Sequence, residues 1–501
     1  MDDVRTPRAI ASIGVDDGGF GKPFDAGDLG LRQPRGFLVA VPLLVTGIVI
    51  AGASTRPAVP YADVQAIFDA KCTSCHAGPE AARGLRLDSW EHLVAGSDAG
   101  EAVIAYDADN SLLVELATKL VGGPHPTEVD GPALTDEEIA RLRAWIDEGA
   151  PGDSGQIPFA DAQNLLYVAD QGEAMVSIID METNQVVRNV DLTEFGFEKF
   201  ALPHHLAVEP DGSYWYVSLI AGNEVLKFDR DDRLVGQAPI EWPGLLALDP
   251  NSDRLFAARS MASVDPPHRL GVIRRGDMSI EEMDVFLPRP HALVVGPGGT
   301  DVFTSSLAVN QIAVVDPVEQ TLELTPIEGE KPHVFINFAV SPDGRWMVGT
   351  TEITSKLFIF DLDRAPDMTP VGAVDLPTAP WHPVYTPDGK WVYVGNNWDN
   401  SVSVIDMETR ELTKVITGNG LAQPHGSAVS PDGRYVYIAS RNLKMPEGHT
   451  KASHVYHPRY DLGDNAHVGT VVVIDTSAQE IVKVIEVEDY ASGLGTAARG
   501  H

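Results

Sequence analysis

Cysteine is nearly absent: Cys72 and Cys75 are the only two in 501 residues. A structural zinc site needs four ligands, usually with a second pair of matching spacing, and no such pair exists. Basic residues are scarce as well. Lysine and arginine number 37 against 72 aspartates and glutamates, a formal net charge of −35. Such an acidic surface repels nucleic acid and anionic headgroups, so nucleic acid is not expected as a partner. Gly-x-Ser-x-Gly elbows, phosphate-cradling glycine loops and dinucleotide fingerprints after a strand are all missing, so no hydrolase or nucleotide-binding constellation stands out. Methionine is missing throughout the stretch between His76 and Ala150.

What is present is ordinary globular material, 44% apolar and 22% charged in 53.9 kDa, enough for two or three domains. Residues 1–35 are polar and glycine-rich. Arg32 and Arg35 then precede an apolar run from Phe37 to Ala53, which ends on the small residues Ala51-Gly52-Ala53. Residues 36–54 therefore read as a signal peptide or a membrane anchor, and the protein as periplasmic or otherwise extracytoplasmic.

Three chemistries use a Cys-x-x-Cys motif. Thioredoxin-like exchange needs a βαβ context, whereas the flanks here are helical. Zinc lacks its other ligands. Covalent haem c attachment needs only "CTSCH": both sulfurs form thioethers to the porphyrin, and His76 on the same turn reaches the iron. "YADVQAIFDAK" predicts a helix entering the motif. "LTDEEIARLRAWIDEGA" predicts a closing helix with Thr135 as N-cap, Glu138 at the capping-box position, and Ile139, Leu142 and Ile146 on one face.

With "GLRLDSWEHLVAG" and "DNSLLVELA" between them, residues 61–150 resemble the planctomycete-type cytochrome c domain. In that family a Met-Pro-Pro motif before the closing helix usually supplies the sixth iron ligand. Here His125-Pro126 stands in its place. The resemblance implies ligation by His76 and His125, or an open or hydroxide-bound sixth position.

After a linker at 151–160 the texture becomes all-β. A strand, a turn such as "SPDGR", a second strand and a third closing on Asp recur at a spacing of about 40 to 50 residues, the signature of a propeller with four strands per blade. Inner strands begin near 204, 244, 291, 333, 382 and 425. A seventh blade is predicted to be composite, with "SGLGTAAR" from the C-terminus joining "LLYVAD", "VSIIDMET" and "VVRNVDL". Residues 161–501 resemble the YVTN family of seven-bladed propellers. The expected fold is thus a small all-α cytochrome c domain followed by an all-β seven-bladed propeller.

Function on such a fold must be argued from a site. His204, His291 and His425 each lie six residues before the proline of the first turn, His382 and His205 one place later, and His333 at the start of its own inner strand. Equivalent positions in successive blades form a ring, so these side chains are expected at one mouth of the channel. Three readings stand together: a repeat habit with each imidazole bonded to a neighbouring carbonyl, a metal site with copper as the favoured ion, and a tetrapyrrole bound across the channel.

The histidine ring, with its adjacent His204-His205 pair, resembles nitrous-oxide reductase. The haem domain before a propeller resembles the haem-d-type nitrite reductases, which have eight blades. Lactonases use similar propellers, but a hydrolase has no purpose for a haem. An insertion at 441–469 interrupts blade six and is expected to lid the channel, contribute a ligand or dock the haem domain.

The reading is an exported redox protein. Haem c passes electrons to a histidine-held copper at which a small nitrogen oxide, nitrous oxide first, is reduced. A redox partner protein or a quinol-linked complex is expected. The competing reading is a non-catalytic electron-transfer cytochrome whose propeller is a docking platform.

Overall fold

The computed structural model describes residues 58–98, 100–126, 132–443, 456–462 and 469–497. Segments 1–35 and 36–54 lie outside these residues, and so does the expected signal peptide or anchor. Among the described residues no helix is long and apolar enough to cross a membrane.

Four helices build the first part: α1 (Tyr61–Lys71), α2 (Trp90–Val94), α3 (Leu112–Thr118) and α4 (Asp136–Asp147). The capping box forms at α4. Glu138 N donates to Thr135 Oγ1 at 3.2 Å and Thr135 N donates to the Glu138 carboxylate at 2.7 Å, so two amides that the helix leaves unpaired are satisfied. Val64 and Phe68 of α1, Leu93 of α2, Val114 of α3, and Leu142, Trp145 and Ile146 of α4 pack into one core and are fully buried. Each contributes about 1.5–3 kcal/mol by leaving water. The Trp145 indole keeps a partner, donating to the Pro151 carbonyl at 2.9 Å.

Twenty-eight described strands then form seven four-stranded antiparallel sheets. Blades one to six have inner strands Pro203–Val208, Pro243–Leu248, Pro290–Val295, Phe335–Val340, Pro380–Tyr385 and Pro424–Val429. Blade seven is the composite one: Ala491–Thr496 pairs with Leu165–Asp170, followed by Met175–Asp180 and Gln185–Asp191. Its closure removes what would otherwise be two open sheet edges.

The repeated turns explain themselves chemically. In "SPDGR" of blade four the Asp343 carboxylate accepts from Ser341 Oγ at 2.5 Å and from Arg345 N at 3.1 Å, while Gly344 takes φ +74°. Only glycine adopts that backbone without strain. In six of the seven blades an aspartate closes the third strand and holds the next turn in the same way, as Asp316 does by accepting from Val318 N at 2.8 Å.

A second repeated feature faces the channel. The residue just before every inner strand, namely Leu202, Trp242, Arg289, Val334, Ala379, Gln423 and Tyr490, has positive φ between 48° and 65°. In blades one to six the ladder also shifts register near the strand start, as between Pro203 and Leu206 or Pro424 and Ser427. Kink and bulge together turn the second and third residues of these strands toward the axis.

The helical domain packs on the outer edge of blade seven, and the two belong to one compact unit running from Pro57 onward. Gln185 Nε2 donates to the Ala95 carbonyl at 2.7 Å, Val186 N to the Glu101 carboxylate at 3.2 Å, and Asn189 Nδ2 to Asp107 at 2.9 Å. Ile104 joins the apolar cluster of Leu166, Val168 and Ile179. The contact covers an outermost strand whose amides would otherwise face solvent.

Acidic groups crowd this contact. Burial, and then the charges of Asp107, Glu115, Asp489 and Glu173, push the Glu488 carboxyl up to about 8 from its usual 4.5. Between those two values the folded protein holds a proton that the unfolded chain has released, so stability falls as pH rises through that window. Glu488→Gln is therefore expected to melt with the parent near pH 4.5 and several degrees above it at pH 8.5. Equal melting temperatures at pH 8.5 in calorimetry would refute this account of the interface.

Candidate functional site

The motif opens on the C-terminal end of α1. Cys72 N bonds the Phe68 carbonyl at 2.8 Å and His76 N bonds the Cys72 carbonyl at 2.9 Å, so the chain makes one further turn and brings both thiols and the imidazole to one side. Cys72 is half-buried against the helical core, and Cys75 is exposed. Burial, reinforced by Glu138, pushes the Cys72 thiol up to about 11.

His76 Nδ1 lies 3.2 Å from the Leu85 carbonyl. A carbonyl can only accept, so Nδ1 carries the proton and Nε2 keeps its lone pair for a metal. Burial holds the His76 imidazole below its ordinary value, which favours the same neutral form.

Opposite it stands His125, anchored through its backbone N to the Leu116 carbonyl at 2.8 Å. The two ring centres are 6.0 Å apart and nearly perpendicular, at 84°. Two imidazoles reaching one metal from opposite sides, at about 2 Å per nitrogen, would have ring centres roughly 6 Å apart. These residues fit a haem: Cys72 and Cys75 would form its thioethers, and His76 and His125 would ligate the iron. Bound there, the haem would supply one-electron chemistry. His92, the other histidine of this domain, instead bonds Asp88 at 2.6 Å from α2.

The channel mouth is built from the second and third residues of the inner strands. His204, His291, Trp381 and His425 take the second place, and His205, Asn337 and His382 the third. His425 is fully buried, with ring centres of Trp381, His382 and His204 at 4.6, 4.7 and 5.3 Å. His205 and His382 approach across the channel to 5.8 Å. This closeness depends on Gly493 of blade seven, where a Cβ would meet the His204 carbonyl oxygen at 2.2 Å.

Burial holds His204, His382 and His425 well below the usual imidazole value, and His291 near about 4, so all four are neutral at pH 7. Tautomers differ around the ring. His205 Nδ1 accepts from Leu246 N at 3.2 Å, whereas His291 Nδ1 donates to the Arg259 carbonyl at 2.8 Å. His382 Nδ1 faces Asn337 Nδ2 at 3.4 Å.

His333 does not join them. It precedes its inner strand, which begins at Phe335, and both ring nitrogens are engaged at 2.8 Å, one with Thr354 Oγ1 and one with the Glu328 carbonyl. Its "P-H" has the local sequence of the others but not their register. The copper expectation also meets a geometric obstacle. Among the described residues no three histidine, cysteine or acidic side chains converge as a metal-ligating group.

Two participants carried no sequence signal as site residues. Trp381 occupies the ring place of a histidine in blade five, which the repeat register could have shown. Arg441 follows the second strand of blade six and stacks its guanidinium on Trp381 at 4.9 Å and Tyr490 at 4.6 Å.

The described part of the insertion docks the haem domain. Val121 N donates to the Asp461 carbonyl at 2.9 Å, four residues before His125, while Tyr456 OH and Arg459 N bind the Glu486 carboxylate of blade six. Residues 444–455 and 463–468, with His449, His454 and His467, lie outside the described residues.

Comparison with known proteins follows this division. The family described as Planctomycete cytochrome C matches residues 72–123. The family described as Lactonase, 7-bladed beta-propeller, matches residues 301–455. The chain joins a planctomycete-type cytochrome c domain to a seven-bladed propeller. Covalent haem c is the cofactor this domain type carries, and the protein is accordingly a redox protein.

No curated protein matches the chain. Among solved structures, hydrazine synthase of Kuenenia stuttgartiensis is 18% identical over 58% of this chain and 88% of that one, with a TM-score of 0.45. Dihydro-heme d1 dehydrogenase NirN in complex with DHE is 14% identical over 87% and 98%, with a TM-score of 0.49. A functionally unknown protein from Desulfotomaculum acetoxidans DSM 771 is 13% identical over 66% and 98%, with a TM-score of 0.53. The last likeness speaks for the fold alone, and the first two carry no argument.

The ligand pair gives a direct test. In the holoprotein, His125→Ala is expected to convert a six-coordinate low-spin haem spectrum to a high-spin one, and His125→Met to raise the reduction potential. An unchanged Soret band and potential in both variants would remove His125 from the iron.

Proposed function

We propose that the protein is an extracytoplasmic haem c reductase. Its haem, held by Cys72, Cys75, His76 and His125, takes single electrons from a redox protein or a quinol-linked complex. A small nitrogen oxide is reduced at the axial cluster of the propeller. The observation that carries the redox half is the facing pair His76 and His125 above the Cys-x-x-Cys motif, 6.0 Å between ring centres. The substrate half rests on His425, a fully buried imidazole with neither nitrogen hydrogen-bonded. A buried polar group left unpaired costs about 1–3 kcal/mol, which a bound ligand would offset.

Copper at His204, His205, His291, His382 and His425 is the metal-assisted form of this reading, with nitrous oxide as its substrate. It requires those rings to turn until their nitrogens converge. A second reading has its own support. Docking of the helical domain on blade seven through Gln185, Val186 and Asn189 suits a propeller that serves as a platform for a non-catalytic cytochrome.

The deciding experiment uses holoprotein from a host with c-type maturation. Iron and copper per chain are measured, and the reduced haem is then mixed with nitrous oxide or nitrite. The expected result is one covalently held iron per chain and haem reoxidation that slows at least tenfold in a His204→Ala, His425→Ala double variant. Copper lost on replacing His204 and His291 would support the metal form. Reoxidation by neither oxide, or at the parent rate in the double variant, would overturn the reductase reading in favour of the platform.

A further inference from the structure

The channel mouth holds a guanidinium with an incomplete set of partners. Arg441 N is tied to the Gln423 carbonyl at 3.3 Å, which fixes the start of the side chain beside the second residue of the blade-six inner strand. The guanidinium then lies over the rings of both Trp381, at 4.9 Å, and Tyr490, at 4.6 Å, which hold it in place. Arg441 Nε is enclosed and has no hydrogen-bond partner. Tyr490 also bonds the group, and Glu352 is the carboxylate whose charge it feels.

Around this cation lie further polar atoms with the same deficit. His425 has no partner at Nδ1 or Nε2, His204 has none at Nδ1, and the Trp381 indole N–H has none, although the three residues are 0%, 6% and 6% exposed. Trp381 joins the two groups, with the Arg441 guanidinium 4.9 Å from its ring centre and the His425 ring at 4.6 Å, while His382 and His204 lie 4.7 and 5.3 Å from His425. A cation beside up to three unpaired donors, one each from His204, His425 and Trp381, in a protein of net charge −35, is the inverse of the surface around it.

We propose that this mouth binds a small monoanion with two oxygens, a carboxylate or nitrite, in the fork of Arg441, with His204, His425 and the Trp381 indole as hydrogen-bond donors. The planar fork matches a two-oxygen anion in geometry. The ligand must be small, because His205 and His382 close to 5.8 Å across the channel. This inference rests on the reading of the axial cluster as the substrate site and narrows it: a charged oxide is favoured over neutral nitrous oxide.

The test is isothermal titration of the oxidised full-length holoprotein with sodium nitrite and, separately, sodium formate, following the Soret band in parallel. The expected result is binding of both anions without a Soret shift. Affinity is expected to fall at least tenfold in Arg441→Gln and to be partly kept in Arg441→Lys, with Arg364→Gln on the surface as the unchanged control. Arg441→Lys also guards against a folding defect, since it keeps the charge, and each variant is compared with the parent by circular dichroism.

Absence of binding to the parent, or equal affinity in Arg441→Gln, would overturn the anion site. Binding that shifts the Soret band and ignores Arg441 would move the anion to the haem and overturn it likewise. Either failure leaves the haem-reoxidation experiment free to succeed with nitrous oxide, so the anion site and the reductase reading fail separately.

Discussion

The pairing of Ala491–Thr496 with Leu165–Asp170 holds the rest of the molecule in place. Without it the sheet array has two free edges and no fixed axis, and a ring of positions around that axis has no meaning. With it, blade seven sits between blades six and one, and its glycine at 493 lets the His204 backbone close in. The same blade presents the outer strand Gln185–Asp191, whose edge amide at Val186 is taken up by Glu101 of the haem domain. One strand pairing thus determines both the axial cluster and the surface on which the cytochrome domain rests.

Polar groups are treated in two opposite ways in this propeller. At the turns aspartates, serines and threonines find a backbone amide or a neighbouring hydroxyl within a few residues, as Asp343 and Ser341, Asp388 and Thr386, and Asp432 and Ser430 do, and the cost of ordering the loop is met locally. At the axis the reverse holds. His425, His204 and Trp381, on inner strands that each begin after a left-handed residue, are buried with polar atoms unmatched, and Arg441 Nε beside them is unmatched as well. Unpaired polar atoms on neighbouring side chains, meeting at one place, are what a binding site preformed for a ligand looks like.

The two centres are connected through protein. The insertion leaves blade six at Arg441, and its described part returns to touch Val121, on the loop that carries His125. Glu486 anchors that part through Tyr456 and Arg459.

The sequence by itself determined the elements and their chemistry. Local signals sufficed for α1 and α4, since capping and apolar spacing act within a few residues, and for the composite blade, since its four strands were each readable and only one closure leaves no open edge. Cys72, Cys75 and His76 were equally legible because their spacing is the chemistry. The convergence of side chains was not legible. His333 shares the "P-H" of His291 and His425 yet precedes its strand, because alignment in a ladder depends on partners in another segment. The kink before each inner strand falls on leucine, tryptophan, arginine and other ordinary residues, so no glycine betrays it. Arg441 enters the site only through aromatic faces contributed by blade five and by the segment before the final strand. Which nitrogen faces which neighbour is a property of the closed ring, and only the tertiary structure decides it.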